Sequence, residues 1–92
     1  MTEALFNQAA DAIKIHKALV EKLSDEVKEE IYGLFKQAKE GDNTKPAPAS
    51  SIEKKKWEVW MKKKGISKEN AMKAYIELAK KVLPKDAAAK IA

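Results

Sequence analysis

Ninety-two residues carrying a formal charge of +5, an isoelectric point near 9.4 and no cysteine are expected to form one domain, near the small end of what folds without staples. The missing cysteine excludes disulfides, thiolate zinc sites and thiol catalysis. Lysine supplies all nineteen cations, which points to an anionic partner met by point charges and argues against arginine-based reading of DNA bases.

The opening Met-Thr-Glu-Ala-Leu-Phe has no basic region followed by an apolar run, so a secretory signal is not expected. No apolar run approaches the length of a membrane span. The expected location is the cytoplasm.

In chain order, residues 3 to about 18 read as a first amphipathic helix with Thr2 as N-cap. Phe6, Ala9, Ala10 and Ile13 recur at i, i+3, i+4 and i+7 and make one stripe, with Lys14 along its edge. His16, the only histidine, has no metal ligand at suitable spacing and reads as solvent-facing. Ser24, followed by Asp25 and Glu26, marks the start of a second helix. It runs from about Asp25 to Glu40 and stops at Gly41. Val27, Ile31, Leu34 and Ala38 share a narrow arc with Phe35 on its edge, and Lys28, Tyr32, Lys36 and Lys39 form the adjacent flank.

Residues 41–50, with two prolines, form the one clear loop. Ser50 with Glu53 fits a capping box for a third helix that ends at Gly65. Its stripe takes in Ile52, Trp57, Val59, Trp60 and Met61, and the stem of Lys56 lies between Ile52 and Trp60. Ser67 caps a fourth helix, halted by Pro84. Its stripe is Ala71, Ala74, Tyr75, Leu78, Ala79 and Val82. The residues after it, 84–92, read as a frayed tail with little to pack. With no strand pattern, the fold class is all-α, a four-helix bundle spanning residues 1–92 as a single domain.

Catalysis has little support, because the histidine has no nucleophile partner and no carboxylate pair is marked out. Metal ligands are wanting too. Ligand binding fares better. Lys14, Tyr32, Lys36, Lys56 and Tyr75 come from four helices, each at the edge of an apolar stripe, and can converge on one rim. Such a rim suits a ligand that is anionic at one end and apolar at the other. The competing reading is a lysine-rich nucleic-acid-binding module, since Lys54-Lys55-Lys56-Trp57 and Met61-Lys62-Lys63-Lys64 superficially resemble a basic HMG-box helix. It lacks an arginine, a basic arm and a wedge residue for intercalation.

Several stretches together resemble the acyl-CoA-binding protein family, the small cytosolic proteins of the diazepam-binding inhibitor type. They are Phe6 with Ala9-Ala10, Tyr32-Gly33-Leu34-Phe35-Lys36-Gln37-Ala38, Gly41-Asp42, Lys56-Trp57-Glu58-Val59-Trp60 and the run from Gly65 to Tyr75. The resemblance implies an up-and-down four-helix bundle that binds medium- to long-chain acyl-CoA esters without catalysis. It implies that Tyr32, Lys36 and Lys56 hold the 3′-phosphate, that Lys14 contacts the nucleotide, that Phe35 lines the adenine site and that Tyr75 lies near the head group. Gly33 and Leu34 fall within the same binding stretch. No cofactor is implied. The partners would be acyl-CoA esters and, transiently, acyl-CoA-using enzymes and membrane surfaces; no nucleic acid is expected, and the protein would be a monomer. Three features depart from the family pattern. The stretch between Lys14 and Tyr32 is long, which predicts an extended first loop. Lys28 and Glu29 stand where the family often has two apolar residues lining the acyl groove. The loop after Asp42 is short and has Ala47 where a glycine commonly follows the proline.

Overall fold

The computed structural model describes residues 2–91, which form six helices and no strands. Four are long: α1 (Thr2–Ile15), α3 (Asp25–Glu40), α4 (Ser51–Met61) and α5 (Lys68–Val82). Two are single short turns, α2 (Lys17–Glu21) and α6 (Lys85–Ala89). The four long helices make the expected all-α bundle. Helix α5 packs against both α1 and α3, while α4 packs mainly against α3. The result is shallow, 40 × 29 × 16 Å, so its ligand sites are surface concavities rather than an enclosed core.

The caps explain where most helices begin and end. Ser24 Oγ accepts the Val27 N–H at 3.3 Å, and Ser67 Oγ accepts the Asn70 N–H at 3.1 Å, each satisfying an orphan donor of the first turn. Gly41 closes α3 at φ 80°, a conformation that a side chain disfavours. Two expected caps are not as anticipated. Thr2 is itself helical, and Ser50 stands at the N-cap of α4 without a side-chain hydrogen bond, so the capping box with Glu53 does not form.

The first helix is shorter than its periodicity predicts. It ends at Ile15, where the half-buried His16 adopts φ −98°, ψ 33° and its Nδ1 approaches the Ala12 carbonyl at 2.9 Å. His16 is thus a helix-end residue rather than a solvent-facing one. The chain then turns into α2, which occupies the stretch expected to be an extended loop. The tail differs too. After Pro84 it forms α6 and returns Ile91, 3% exposed, to the core.

At the centre of the core, three aromatic rings from three helices meet. Phe6 stacks on Phe35 with centroids 5.8 Å apart, and Tyr75 meets Phe6 edge-on at 5.1 Å and Phe35 at 6.0 Å, arrangements that favour aromatic pairs. Around them, Ala9, Ile31, Leu34, Ala38, Ala71 and Ala79 are buried as their stripes predict. Three helical positions depart. Ile76 is buried and Ala74 exposed, so the stripe of α5 is rotated by part of a turn. Ile52, placed in the core by its spacing, is 72% exposed because the first turn of α4 overhangs the bundle.

Gly33 lets α3 and α4 approach closely. A Cβ there would lie 3.1 Å from the Val59 carbonyl oxygen and 3.2 Å from Val59 Cγ1 and Lys63 Cγ. Alanine ordinarily favours a helix interior by about 1 kcal/mol over glycine. Here the backbone oxygen opposes it, and Gly33→Ala should destabilise the fold by roughly 1–2 kcal/mol, lowering Tm by about 5–15 °C. A Tm at or above that of the unmodified protein would show that α4 yields without cost.

Candidate functional site

Tyr32 stands at the junction of three concavities. On one side it meets a bowl of about 230 Å³, lined by Ala10, Ile13 and Lys14 of α1, Lys28, Ile31 and Phe35 of α3, and Tyr75 of α5. On a second side lies a cleft of about 210 Å³ between α3 and α4, walled by Lys28, Glu29, Lys55, Lys56 and Val59. The third is a lysine-rich recess of about 180 Å³, where Lys36, Lys45 and Lys56, with Glu53 as the one carboxylate of the lining, surround Trp57 and Trp60. Each reflects its helix faces. Bundle helices turn oily stripes inward, so concavities at their seams have apolar floors and rims of the flanking lysines.

In the recess, Lys36 and Lys45 share both an aromatic ring and a counter-ion. Their Nζ atoms lie 5.3 and 5.6 Å from the Trp60 ring centroid, within cation–π range. Lys36 Nζ donates to Glu40 Oε2 at 2.6 Å, and Lys45 Nζ is 3.7 Å from the other oxygen. The Glu40 hydrogen bond, opposed by burial, holds Lys36 above its ordinary pKa, and the same bond holds Glu40 below its own. In effect Glu40 stands in for an anion that both lysines can bind. Across the recess, Lys56 Nζ lies 5.8 Å from the Tyr32 ring centroid.

Lys45 arrives from the loop, which is pinned onto α4. Trp60 Nε1 donates to the Gly41 carbonyl at 2.9 Å, and Trp57 Nε1 donates to the Lys45 carbonyl at 2.7 Å. Buried Asn43 folds the loop back by accepting the Lys45 N–H at 3.0 Å, a local turn that asparagine favours. Nothing in the helical periodicity marks Lys45; the loop asparagine and the two tryptophans are its only signal.

A second loop anchor is buried Gln37, whose Nε2 donates to Asp42 Oδ1 at 2.8 Å and to the Ile66 carbonyl at 2.7 Å. Asp42 Oδ1 also accepts the Gly65 N–H at 2.9 Å. The Gly65 bond first, and Gln37 second, hold the Asp42 carboxyl below its ordinary value of 3.8. Asp42 and Glu40 therefore bind protons less readily folded than unfolded, and they favour the fold above the ordinary carboxylate range. That contribution is lost as pH falls through their folded values. Urea midpoints should be unaffected by these groups above about pH 5 and fall progressively below about pH 4.5. A midpoint unchanged down to pH 3 would contradict this linkage.

The eight residues expected at the site separate into three groups. Tyr32, Lys36 and Lys56 meet at the recess, and Lys14, Phe35 and Tyr75 line the bowl next to it. Tyr75 is buried, which pushes its phenol up to about 12. Gly33 and Leu34 are buried and line none of the three concavities; Gly33 admits α4 close against α3, and Leu34 belongs to the core. Two lysines of the basic runs are engaged across the seam, Lys55 with Glu29 and Lys63, just past α4, with Glu30. Trp57 has spent its N–H on the loop. Lys55, Trp57 and Lys63, three of the residues that resembled a nucleic-acid-binding helix, are thus engaged within the bundle.

A shallow helical bundle with a cationic recess beside apolar concavities defines a binding protein for anionic amphiphiles. The family model described as "Acyl CoA binding protein" matches residues 3–79. This chain belongs to the acyl-CoA-binding protein family. It is 39% identical over 87 residues to the "Acyl-CoA-binding protein homolog" of Drosophila melanogaster, covering 92% of this chain and 98% of that one. It is 38% identical to the "Acyl-CoA-binding protein" of Saccharomyces cerevisiae, covering 92% and 97%. The crystal structure of Oryza sativa Acyl-CoA-Binding Protein 2 is similar, with a TM-score of 0.74 and 34% identity over 92% of this chain and 96% of that one.

Proposed function

We propose that this protein binds acyl-CoA esters non-covalently and without catalysis, buffering and carrying them in the cytoplasm as a monomer. Delivery to acyl-CoA-using enzymes and membrane surfaces would be transient. The single observation that carries the reading is Tyr32, which borders three concavities of different chemistry. The lysine-rich recess suits the 3′-phosphate, held by Tyr32, Lys36 and Lys56, with Lys45 as a further cation. The bowl floored by Phe35 and Tyr75 suits a flat aromatic base, with Lys14 reaching the nucleotide from its rim. The cleft walled by lysine stems and Val59 suits an acyl chain. Family membership supports the same ligand.

Calorimetry with palmitoyl-CoA, CoA and palmitate tests this assignment. The ester should bind more tightly than either fragment, because only it fills the recess and the cleft together; Trp57 and Trp60 provide a fluorescence readout. Comparable weak binding of all three would refute it.

A further inference from the structure

We infer that Glu40 is an internal competitor for the ligand's phosphate, which it opposes at two of the three lysines of the recess. This rests on the reading above, with the phosphate in the recess, and adds to it the residue that the ligand must displace. Lys36, Lys45 and Lys56 line the recess. Among the described residues, only Lys56 of the three forms no ion pair. The Glu40 carboxylate takes the other two, Lys36 on Oε2 at 2.6 Å and Lys45 on Oε1 at 3.7 Å. Glu40 itself is not part of the recess lining, so the recess stays open while two of its charges are engaged.

The helix does not favour a carboxylate at this position. Glu40 is the last residue of α3, where the carbonyl end of a helix repels an anion. Lys36 precedes it by four residues, the weaker order for such a pair. The second cation comes from the loop, fixed where the Trp57 N–H donates to the Lys45 carbonyl. Glu40 is therefore held by the same two ammonium groups that a phosphate in the recess would use. A carboxylate brings one negative charge, whereas a phosphate monoester brings nearly two and three acceptor oxygens. The monoester can take both lysines from Glu40; a ligand that lacks it leaves the two pairs in place. The hold is exchangeable because it is partly exposed, with the Lys36 and Glu40 side chains at 27% and 39%, and exposed pairs are weak.

Calorimetry with palmitoyl-CoA and its 3′-dephospho analogue, on the unmodified protein, Glu40→Gln and Glu53→Gln, tests the competition. Glu53 serves as the control for net charge, since it lines the same recess and, among the described residues, forms no ion pair. Glu40→Gln should bind palmitoyl-CoA about three- to tenfold more tightly than the unmodified protein does. It should leave the dephospho analogue within about twofold, because that ligand does not contest the lysines. Glu53→Gln should gain less than Glu40→Gln with palmitoyl-CoA. Unchanged or weaker binding of palmitoyl-CoA by Glu40→Gln, or an equal gain in Glu53→Gln, would overturn the competition and leave the acyl-CoA assignment standing. Equal affinity of the two ligands for the unmodified protein would take the phosphate out of the recess and overturn it as well. Failure of palmitoyl-CoA to bind any of the three proteins would instead overturn the assignment, and the competition with it.

Discussion

Replacing Lys36 and Lys56 together with alanine should weaken acyl-CoA binding by about 30- to 1000-fold while leaving the fold intact. Hydrogen bonds to charged groups contribute about 1.5–3 kcal/mol each; partial exposure of both side chains reduces the pair to roughly 2–4 kcal/mol. The two residues occupy different helices and face the recess from opposite sides, so each single variant should retain part of the affinity. Salt provides an independent check. Affinity of the unmodified protein should fall with ionic strength, and the double variant should show a shallower dependence, because the charges that salt screens are gone. Unchanged affinity in the double variant would remove the recess from the site.

The largest effect on stability is expected from Trp60→Ala, which should cost about 3–5 kcal/mol. The ring is 5% exposed, and its N–H ties the start of the loop to α4 at the Gly41 carbonyl. Domains of this kind are stable by only about 5–15 kcal/mol, so the variant should be marginal at 37 °C. Trp60→Phe keeps most of the ring and strands the carbonyl, and should cost about 1–2 kcal/mol. Urea unfolding followed by helical circular dichroism separates the two variants from the parent; a Trp60→Ala loss below about 1 kcal/mol would show that the loop is held elsewhere. Because Lys36 and Lys45 lie over the same ring, the Trp60→Ala protein should also bind acyl-CoA less well where it remains folded.

The four long helices are legible because their stripes repeat at helical spacing, and Ser24, Ser67 and Gly41 sit where caps are needed. Tyr32 and Lys36 share a face for the same reason, four residues apart on one helix. Periodicity fails where burial does not follow polarity. Gln37 is 0% exposed because it bonds Asp42 and Ile66, and Ile52 is exposed because nothing packs on the start of α4. It also fails at His16, where a side chain approaching a backbone carbonyl marks the helix end without any glycine or proline.

By itself the sequence determined the all-helical class, the stripes that meet in the Phe6–Phe35–Tyr75 centre and the Tyr32–Lys36 pair, since all of these depend on neighbours within one turn or on alternation along one helix. Only the tertiary structure decided that Lys45 joins the recess, that Ile91 returns to the core and that Glu29 meets Lys55 across the seam. Each of those contacts depends on how separate segments pack and at what register, and Gly33, by admitting α4 close against α3, sets the register on which the last of them rests.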